Sequence, residues 1–145
     1  MIRKATLDDL ESIVSIEQTF SADAFSRRSL RYFVMRGATL VMVLDDEVVG
    51  YSIVLRRSGS HRARLYSIAI ADGHRGKGYG DDLLRSCEDY ATTIGAKEMI
   101  LEVSEDNSIA QNLYKSRGYE YLKILPDYYE NGVGGIQLGK RLITI

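Results

Sequence analysis

The 145-residue chain has little of several features that commonly define a protein class. It contains one cysteine, Cys87, so a disulfide within the chain is impossible and a reducing cytoplasm is the simplest setting. No apolar run approaches the roughly 18 residues that a membrane-spanning helix needs. Lysine and arginine total 19 against 20 aspartates and glutamates. This balance argues against a protein built mainly to bind nucleic acid, which is usually strongly basic.

Metal-ligand clusters and a secretion signal are also missing. His61 and His74 have neither nearby cysteines nor metal-ligand spacing, so we expect no metal site. Residues 1–6, followed by Asp8 and Asp9, do not resemble a signal peptide. We therefore expect a cytoplasmic protein without a membrane segment. Its length fits a single domain over residues 1–145, and the sequence does not indicate an oligomeric state.

Hydrophobic periodicity predicts the elements of the first 70 residues. Thr6 begins a helix, with Asp9 completing a variant of the capping box. Asp45-Asp46 separates two β-rich segments, which indicates a hairpin. The predicted segments are strands at Ile2–Ala5, Thr39–Leu44, Glu47–Leu55 and Arg64–Ile70, and helices at Thr6–Phe20 and Arg27–Met35.

Helix and strand patterns alternate after residue 80. The predicted segments are a helix at Asp81–Ile94, a strand at Glu98–Val103, a helix capped by Asn107 and ended by Gly118, and strands at Tyr119–Leu125 and Gly135–Leu142 around a turn at Glu130-Asn131-Gly132. A strand–helix–strand crossover requires parallel strands. We therefore predict an α/β fold (α+β, with a mixed sheet) that has antiparallel N-terminal strands, one central crossover and a C-terminal hairpin.

A glycine-rich loop, Arg75-Gly76-Lys77-Gly78-Tyr79-Gly80, follows a predicted strand and opens a predicted helix. Glycine allows positive φ and a close approach of the backbone to a ligand. The free N–H groups at a helix start bind anions, and Arg75 and Lys77 add positive charge. Asp81 and Asp82 lie in the first turn of the predicted helix, where negative charge interacts favourably with the helix dipole. The same charges would repel a phosphate placed too near them. The loop favours a pyrophosphate ligand, and the alternative is a plain glycine-rich turn.

Two common phosphate-binding loops do not fit this segment. A Walker A loop requires serine or threonine after its lysine, but Gly78 follows Lys77. A Rossmann loop reads Gly-x-Gly-x-x-Gly, and the spacing here is one residue short. Glu102 lies about where a ribose-binding acid would, but the antiparallel strands upstream disfavour a dinucleotide-dependent enzyme.

The pattern Arg75-x-x-Gly78-x-Gly80 resembles the pyrophosphate loop of the GNAT superfamily of acetyl-CoA-dependent N-acetyltransferases. The resemblance continues in Leu101-Glu102-Val103, Asn107, Ala110, Leu113-Tyr114 and Gly118-Tyr119. Together with Ser67–Ile70 and Tyr128-Tyr129, these residues resemble the branch that acetylates protein N-termini, typified by the ribosomal-protein-alanine N-acetyltransferase. The resemblance implies a GNAT-like fold, acetyl-CoA as cosubstrate, and acetyl transfer to a primary amine, foremost a protein N-terminal α-amine.

The resemblance also implies which residues form the site. Glu102 and Tyr114 would be catalytic, and Tyr128 and Tyr129 would line the acceptor side. The backbone of Ile68, Ala69 and Ile70 would pair with the pantetheine arm. The remaining cofactor-binding positions would be Arg75, Gly76, Lys77, Gly78, Tyr79, Gly80, Asp81, Asn107 and Ala110.

The chemistry of acetyl transfer needs the residue types at positions 102 and 114. An ammonium cannot attack a thioester, and the Glu102 carboxylate can take its proton directly or through a water. Tyr114 can protonate the departing thiolate, because the reference pKa of tyrosine, about 10, lies above that of a thiol. Alternatives are a solvent-facing Glu102, a Tyr114 that only packs in the core, and an Asn107 that is only an N-cap.

Other features leave alternatives open. The basic run at Arg56, Arg57, His61, Arg62 and Arg64 is read as a solvated loop, and Cys87 as buried core. Ala24-Phe25-Ser26 replaces a tryptophan-containing segment of the family, which leaves the acceptor open. A small amine or a lysine side chain is the alternative acceptor, and a non-catalytic acyl-CoA-binding module is the alternative class.

Overall fold

The computed structural model describes residues 1–20, 24–129 and 132–142. The strands are β1 (Ile2–Lys4), β2 (Thr39–Leu44), β3 (Glu47–Arg56), β4 (Arg62–Ile70), β5 (Glu98–Ser104), β6 (Glu120–Leu125) and β7 (Gly135–Arg141). The helices are α1 (Leu10–Phe20), α2 (Arg27–Met35), α3 (Tyr79–Thr93) and α4 (Ser108–Ser116), and a 3₁₀ turn at Leu7–Asp9 precedes α1. No helix in these ranges is long and apolar enough to cross a membrane.

The strands form a mixed sheet in the order β1-β2-β3-β4-β5-β7-β6. β4 and β5 pair in parallel through Arg62–Arg64 and Glu98–Ile100, which confirms the predicted crossover through α3. The pairs β1–β2, β2–β3, β5–β7 and β6–β7 are antiparallel, so the predicted α/β fold is confirmed. β7 lies between β5 and β6. Residues 130 and 131 of the predicted C-terminal turn lie outside the described residues.

The chain divides into two compact units, residues 1–55 with 65–90 and residues 56–64 with 91–145. The prediction of a single domain over 1–145 stays a prediction. The first unit has an aliphatic core that α1, α2 and the strands share. Its buried members are Leu10, Ile13, Ile16, Leu30, Val34, Ala38, Val41, Tyr51, Ile53 and Ala69. The β2–β3 hairpin turns at Asp45 and Asp46, both with positive φ, as a tight turn of matching twist requires.

The second unit is organised by β5, whose side chains alternate between two faces. Met99, Leu101 and Val103 are buried, whereas Glu98, Ile100 and Glu102 lie on the opposite, partly accessible face. This is the two-residue alternation of a strand with one buried face. Leu138 on β7 stands opposite Leu101 of β5, and both side chains are buried. The next pair, Glu102 and Gln137, is polar, so a polar pair lies beside an apolar pair on the two strands.

Several boundaries differ from the sequence prediction, and three of these differences have a local physical reason. The predicted first helix opens with a 3₁₀ turn, in which the Thr6 N–H donates to Asp9 as the capping box requires. α3 begins at Tyr79 rather than at residue 81, because the Gly78 carbonyl already accepts from the Asp82 N–H. β4 begins at Arg62 rather than at residue 64, because its first residues pair with β5.

Candidate functional site

The glycine-rich loop enters α3 in a conformation that only glycine adopts without strain. Gly76 and Gly78 have φ values of 76° and 84°. A Cβ built on either glycine meets no atom within 4 Å, so the space above the backbone is open. Gly80 lies in the first turn of α3, where backbone N–H groups have no helical acceptor. Open space, positive φ and free N–H groups together fit a pyrophosphate.

The two cations of the loop are placed differently. Arg75 donates from Nε to the carbonyl of Ile70 at 2.9 Å and forms an ion pair with Asp72 at 2.7 Å. It therefore ties the loop to the end of β4, and its charge is shared with an acid of the chain. Lys77 is exposed on the loop, so a phosphate would meet this charge first. The half-buried Asp81 lies in the first turn of α3, together with Asp82.

Ile68, Ala69 and Ile70 form the last residues of β4. Ala69 is buried, and its carbonyl lies 3.2 Å from the Cβ position of Gly50 on β3. Within the described residues β4 pairs with β5 only as far as Arg64, so Ile68, Ala69 and Ile70 lie beyond that pairing. The Ile70 carbonyl is already used by Arg75, which leaves Ile68 and Ala69 as the better placed partners for a ligand's amides.

The Glu102 carboxylate lies in the second unit on the accessible face of β5. Its side chain is only 8% exposed, so the interpretation of Glu102 as a solvent-facing residue is wrong. Arg64 donates to Oε1 from Nε at 2.6 Å, and Gln137 donates to Oε2 at 3.1 Å. These two donors fix the orientation of the carboxylate, and its burial shields it from solvent.

Two arginines of the basic run do not belong to a solvated loop. Arg62 and Arg64 lie in β4, and each forms an ion pair with a glutamate of β5, Glu98 and Glu102 respectively. The sequence reading of this segment as a solvated loop is wrong for these two residues. Complementary charges at alternate positions of two adjacent parallel strands were the signal that would have revealed the pairing.

Tyr114 is half-buried on α4 and packs edge-to-face against Tyr119, with ring centroids 5.7 Å apart. Tyr119 is 2% exposed, so the ring of Tyr114 is held by the core of its unit. Asn107 is the N-cap of α4, since its Oδ1 accepts from the N–H of Ala110 at 3.0 Å. The predicted N-cap is therefore confirmed.

Tyr128 and Tyr129 follow β6 and pack edge-to-face with centroids 4.9 Å apart. The Tyr128 hydroxyl accepts from Nη2 of Arg64 at 2.6 Å, which joins this pair to Glu102. Burial, then the neighbouring Tyr128 and Glu102, raises the pKa of Tyr129 above its ordinary value. The structure thus brings Glu102, Tyr128 and Tyr129 together, and it adds Arg64 and Gln137, which the sequence did not single out.

Two buried polar groups in the first unit are held by neighbouring side chains. Burial raises the pKa of the Cys87 thiol to about 12, and this thiol donates to Ser52, so the residue is part of the core as predicted. Glu17 is 3% exposed and accepts from the Tyr51 hydroxyl at 2.5 Å and from the Phe25 N–H at 2.9 Å. It thereby anchors the chain just before α2, in the segment where the family's tryptophan is absent.

A surface depression on α2 lies apart from the residues predicted for the site. Within the described ranges, no three histidine, cysteine or acidic side chains cluster as metal ligands. A depression of about 450 Å³ on α2 is lined by Arg28, Arg31, Tyr32, Met35 and Arg36. None of the residues that the sequence assigns to the site lines it.

Several relatives match nearly the whole chain. An uncharacterized N-acetyltransferase of Methanocaldococcus jannaschii is 31% identical over 97% of this chain and 91% of its own length. An N-alpha-acetyltransferase of Sulfurisphaera tokodaii is 31% identical over 90% of this chain and 86% of its own. A putative ribosomal protein bS18-alanine N-acetyltransferase of Bacillus subtilis is 28% identical over 90% of this chain and 88% of its own.

Solved structures share the fold. Ard1 from Thermoplasma volcanium superposes with a TM-score of 0.90 at 22% identity, covering 99% of this chain and 98% of that one. The matched chain of the NatC complex bound to Gag peptide and CoA gives 0.84 at 20% identity, covering 99% and 98%. The acetyltransferase (GNAT) family profile matches residues 7–119, most of the chain. The chain therefore belongs to the GNAT family and is an acetyl-CoA-dependent N-acetyltransferase.

Proposed function

We propose that this enzyme acetylates the N-terminal α-amine of proteins, with Glu102 as general base and Tyr114 as general acid. The observation that carries the proposal is the Glu102 carboxylate, which is buried, charged and held beside Tyr128 and Tyr129. Support for the acceptor class comes from the N-alpha-acetyltransferase of S. tokodaii, whose likeness covers 90% of the chain. The chain acts in this proposal as one acetyltransferase domain.

Binding of the cosubstrate is assigned to the loop, the end of β4 and the start of α4. The N–H groups from Gly76 to Asp81 and the Lys77 ammonium would hold the pyrophosphate, with Arg75 fixing the loop. The backbone of Ile68 and Ala69, with Ile70 beside them, would pair with the pantetheine amides. The Asn107 amide and the small Ala110 side chain are also assigned to cosubstrate binding.

Each catalytic residue has one proton to move. Glu102 takes a proton from the acceptor ammonium, directly or through one water, and the neutral amine then attacks the thioester carbonyl carbon. A C–N bond forms, the C–S bond breaks, the amide nitrogen loses its second proton to solvent, and Glu102 releases the proton it took to solvent. Tyr114 donates its phenolic proton to the departing thiolate and regains one from solvent. The sum is amide, free CoA thiol and one released proton.

Tyr128 and Tyr129 are assigned to the acceptor side. Their perpendicular rings provide an apolar wall with one hydroxyl tied to Arg64. A peptide backbone in extended form presents flat amide faces and short side chains, which such a wall accommodates. The link from Tyr128 through Arg64 to the base supports an acceptor whose amine arrives next to Glu102.

Steady-state kinetics of Glu102→Gln and Tyr114→Phe across a pH series tests the proposal. Each change keeps the shape and removes one proton-transfer function, so each should lower kcat by about 10²–10⁴-fold with little change in KM for acetyl-CoA. Glu102→Gln should recover partly at high pH, where more acceptor is already neutral, and Tyr114→Phe should not. A folded variant with wild-type kcat at either position would remove that residue from the mechanism.

A small amine or a lysine side chain is the second candidate acceptor. The changed segment Ala24-Phe25-Ser26 favours it, because this region departs from the family pattern. A lysine-free peptide with a free α-amine, the same peptide with a blocked N-terminus and one lysine, and a small diamine separate the cases. The proposal requires the first to have the highest kcat/KM by at least about tenfold, or about 1.4 kcal/mol.

A further inference from the structure

Arg64 is the residue through which the proposed base and the proposed acceptor wall are connected. Its Nε donates to Glu102 Oε1 at 2.6 Å, and its Nη2 lies 2.5 Å from the same oxygen. The same Nη2 donates to the Tyr128 hydroxyl at 2.6 Å. One guanidinium therefore sets the position of a carboxylate on β5 and of a phenol in the segment after β6.

The two oxygens of the Glu102 carboxylate have different hydrogen-bond donors. Oε1 is bound by the guanidinium, whereas Oε2 accepts one hydrogen bond, from Nε2 of Gln137 at 3.1 Å. Each carboxylate oxygen has two lone pairs. The lone pair left on Oε2 is thus the better placed position for a proton, and the rotation of the carboxylate that presents it is held by Arg64.

The neighbouring ion pair on the same two strands lacks this arrangement. Arg62 Nε lies 2.6 Å from Glu98 Oε1, but among the described residues that oxygen has no aligned hydrogen-bond donor. Arg62 and Glu98 stand directly opposite each other in the ladder, two residues before Arg64. The two pairs share strands and residue types, and in the contacts of the described residues the second pair is the one connected to a tyrosine of the acceptor side.

Several charged or titratable groups face Glu102 from the elements around it. Arg64 comes from β4, the neutral Gln137 from β7, and Tyr129, whose pKa responds to Glu102, from the segment after β6. Glu98 lies on the same face of β5, with Arg62 against it. Arg64 is the cation that touches Glu102 in these contacts, so the orientation of the base depends mainly on it.

We propose that Arg64 is a positioning residue that holds the Glu102 carboxylate and the Tyr128 hydroxyl in the geometry that proton transfer from the acceptor amine requires. This inference rests on the proposed function, since it assumes that Glu102 is the base. Arg64 acts through Glu102 and moves no proton itself. Lysine would supply the positive charge, but it lacks the planar group with which Arg64 donates to Glu102 and Tyr128 at once. Arg64→Lys should therefore keep only part of the activity.

A double-mutant cycle tests the inference on the intact enzyme. Arg64→Met is compared in the wild-type and the Glu102→Gln backgrounds, with kcat, KM for acetyl-CoA and the urea unfolding midpoint measured for each protein. We expect Arg64→Met to lower kcat by about 10²-fold in the wild-type background, because misplacement of about 1 Å costs that much. In the Glu102→Gln background the same change should cost less than about twofold, because the base is already lost.

Three further variants keep the test decisive. Arg62→Met, the matched control, should retain wild-type kcat. Arg64→Lys, which keeps the charge if Arg64→Met folds poorly, should have an intermediate kcat. Arg64→Ala should regain activity on addition of guanidinium at millimolar concentration, and sodium chloride of equal ionic strength should not restore it.

The outcomes separate the inference from the proposed function. A Glu102→Gln enzyme with full kcat overturns the proposed base and the inference together. A strong effect of Glu102→Gln with an unchanged Arg64→Met overturns the inference alone. Effects of the two changes that multiply in the double variant also overturn it, since Arg64 would then act independently of Glu102.

Discussion

Gly78→Ala is the change that examines the glycine loop most closely, because the structure allows its two effects to be separated. Gly78 has a φ of 84° and open space at the Cβ position. Alanine therefore meets no clash in the free protein and pays only the left-handed backbone strain, about 1–2 kcal/mol. For a chain of this size that strain lowers Tm by about 2–8 °C.

The effect on ligand binding should be larger than this strain. A methyl group at Gly78 extends into the open space that we assign to the pyrophosphate. Isothermal titration with CoA should show a Kd weakened by at least about tenfold, or about 1.4 kcal/mol. The same titration with NAD and ATP checks that the loop selects CoA.

Gly59→Ala is the matched control for this prediction. Gly59 has a φ of 80° and the same open space, but it lies in the turn before β4, to which no ligand is assigned. It should lose a similar amount of stability and keep the wild-type Kd for CoA. Equal CoA affinity in folded Gly78→Ala and Gly59→Ala would refute the assignment of the loop.

Two further predictions concern the first unit. Tyr51→Phe removes the hydroxyl that donates to the buried Glu17. The change should lower the free energy of unfolding, measured by urea titration, by about 1–3 kcal/mol. A loss below about 0.5 kcal/mol would contradict this prediction. The hydrogen bond from Arg3 holds the pKa of Asp9 below its ordinary value, so this stabilisation is complete above about pH 4 and is lost as the pH falls through the folded-state pKa. Urea midpoints of wild type and Asp9→Asn should therefore differ most at pH 7 and converge as the pH falls below the usual pKa range of aspartate, and a constant difference argues against the ion pair.

Much of the fold followed from local patterns in the sequence. The helix at 27–35 has the predicted bounds, because Ser26 caps it and the helical spacing of Leu30 and Val34 ends before Gly37. The strand β5 could be predicted because its side chains alternate between a buried face and a partly accessible face. The parallel pairing of β4 with β5 followed from the intervening helix, which only a crossover explains.

The parts that were missed depend on contacts between distant segments. Arg64 and Glu102 are 38 positions apart, and Arg64 and Tyr128 are 64 apart, so no local window contains these pairs. The residues next to Gln137 in the sequence do not indicate a role for it. Its contact with Glu102 depends on the β5–β7 register, which places the two residues opposite each other. The position of β7 between β5 and β6 is likewise set by strand pairing.

Arg75 has partners within the chain that the sequence did not indicate. The sequence assigned it to cosubstrate binding from the glycine-loop pattern and its positive charge, and that assignment stays a prediction. In the structure its guanidinium binds the Ile70 carbonyl and Asp72, five and three residues earlier. Its fork geometry suits this bridge, since one group can join a carbonyl and a carboxylate. The loop's rigidity and the loop's charge therefore come from different residues, Arg75 and Lys77.

Transfer of acetyl to the N-terminal α-amine is the central claim, and an intramolecular competition measures it most directly. One peptide carries both a free α-amine and an internal lysine, and it is incubated with acetyl-CoA and the wild-type enzyme, with Glu102→Gln as the control. Tandem mass spectrometry then locates the acetyl group. The account predicts acetylation at the α-amine with wild-type enzyme and a strongly reduced yield with Glu102→Gln. Acetyl groups mainly on the lysine, or an undiminished yield with Glu102→Gln, would contradict it.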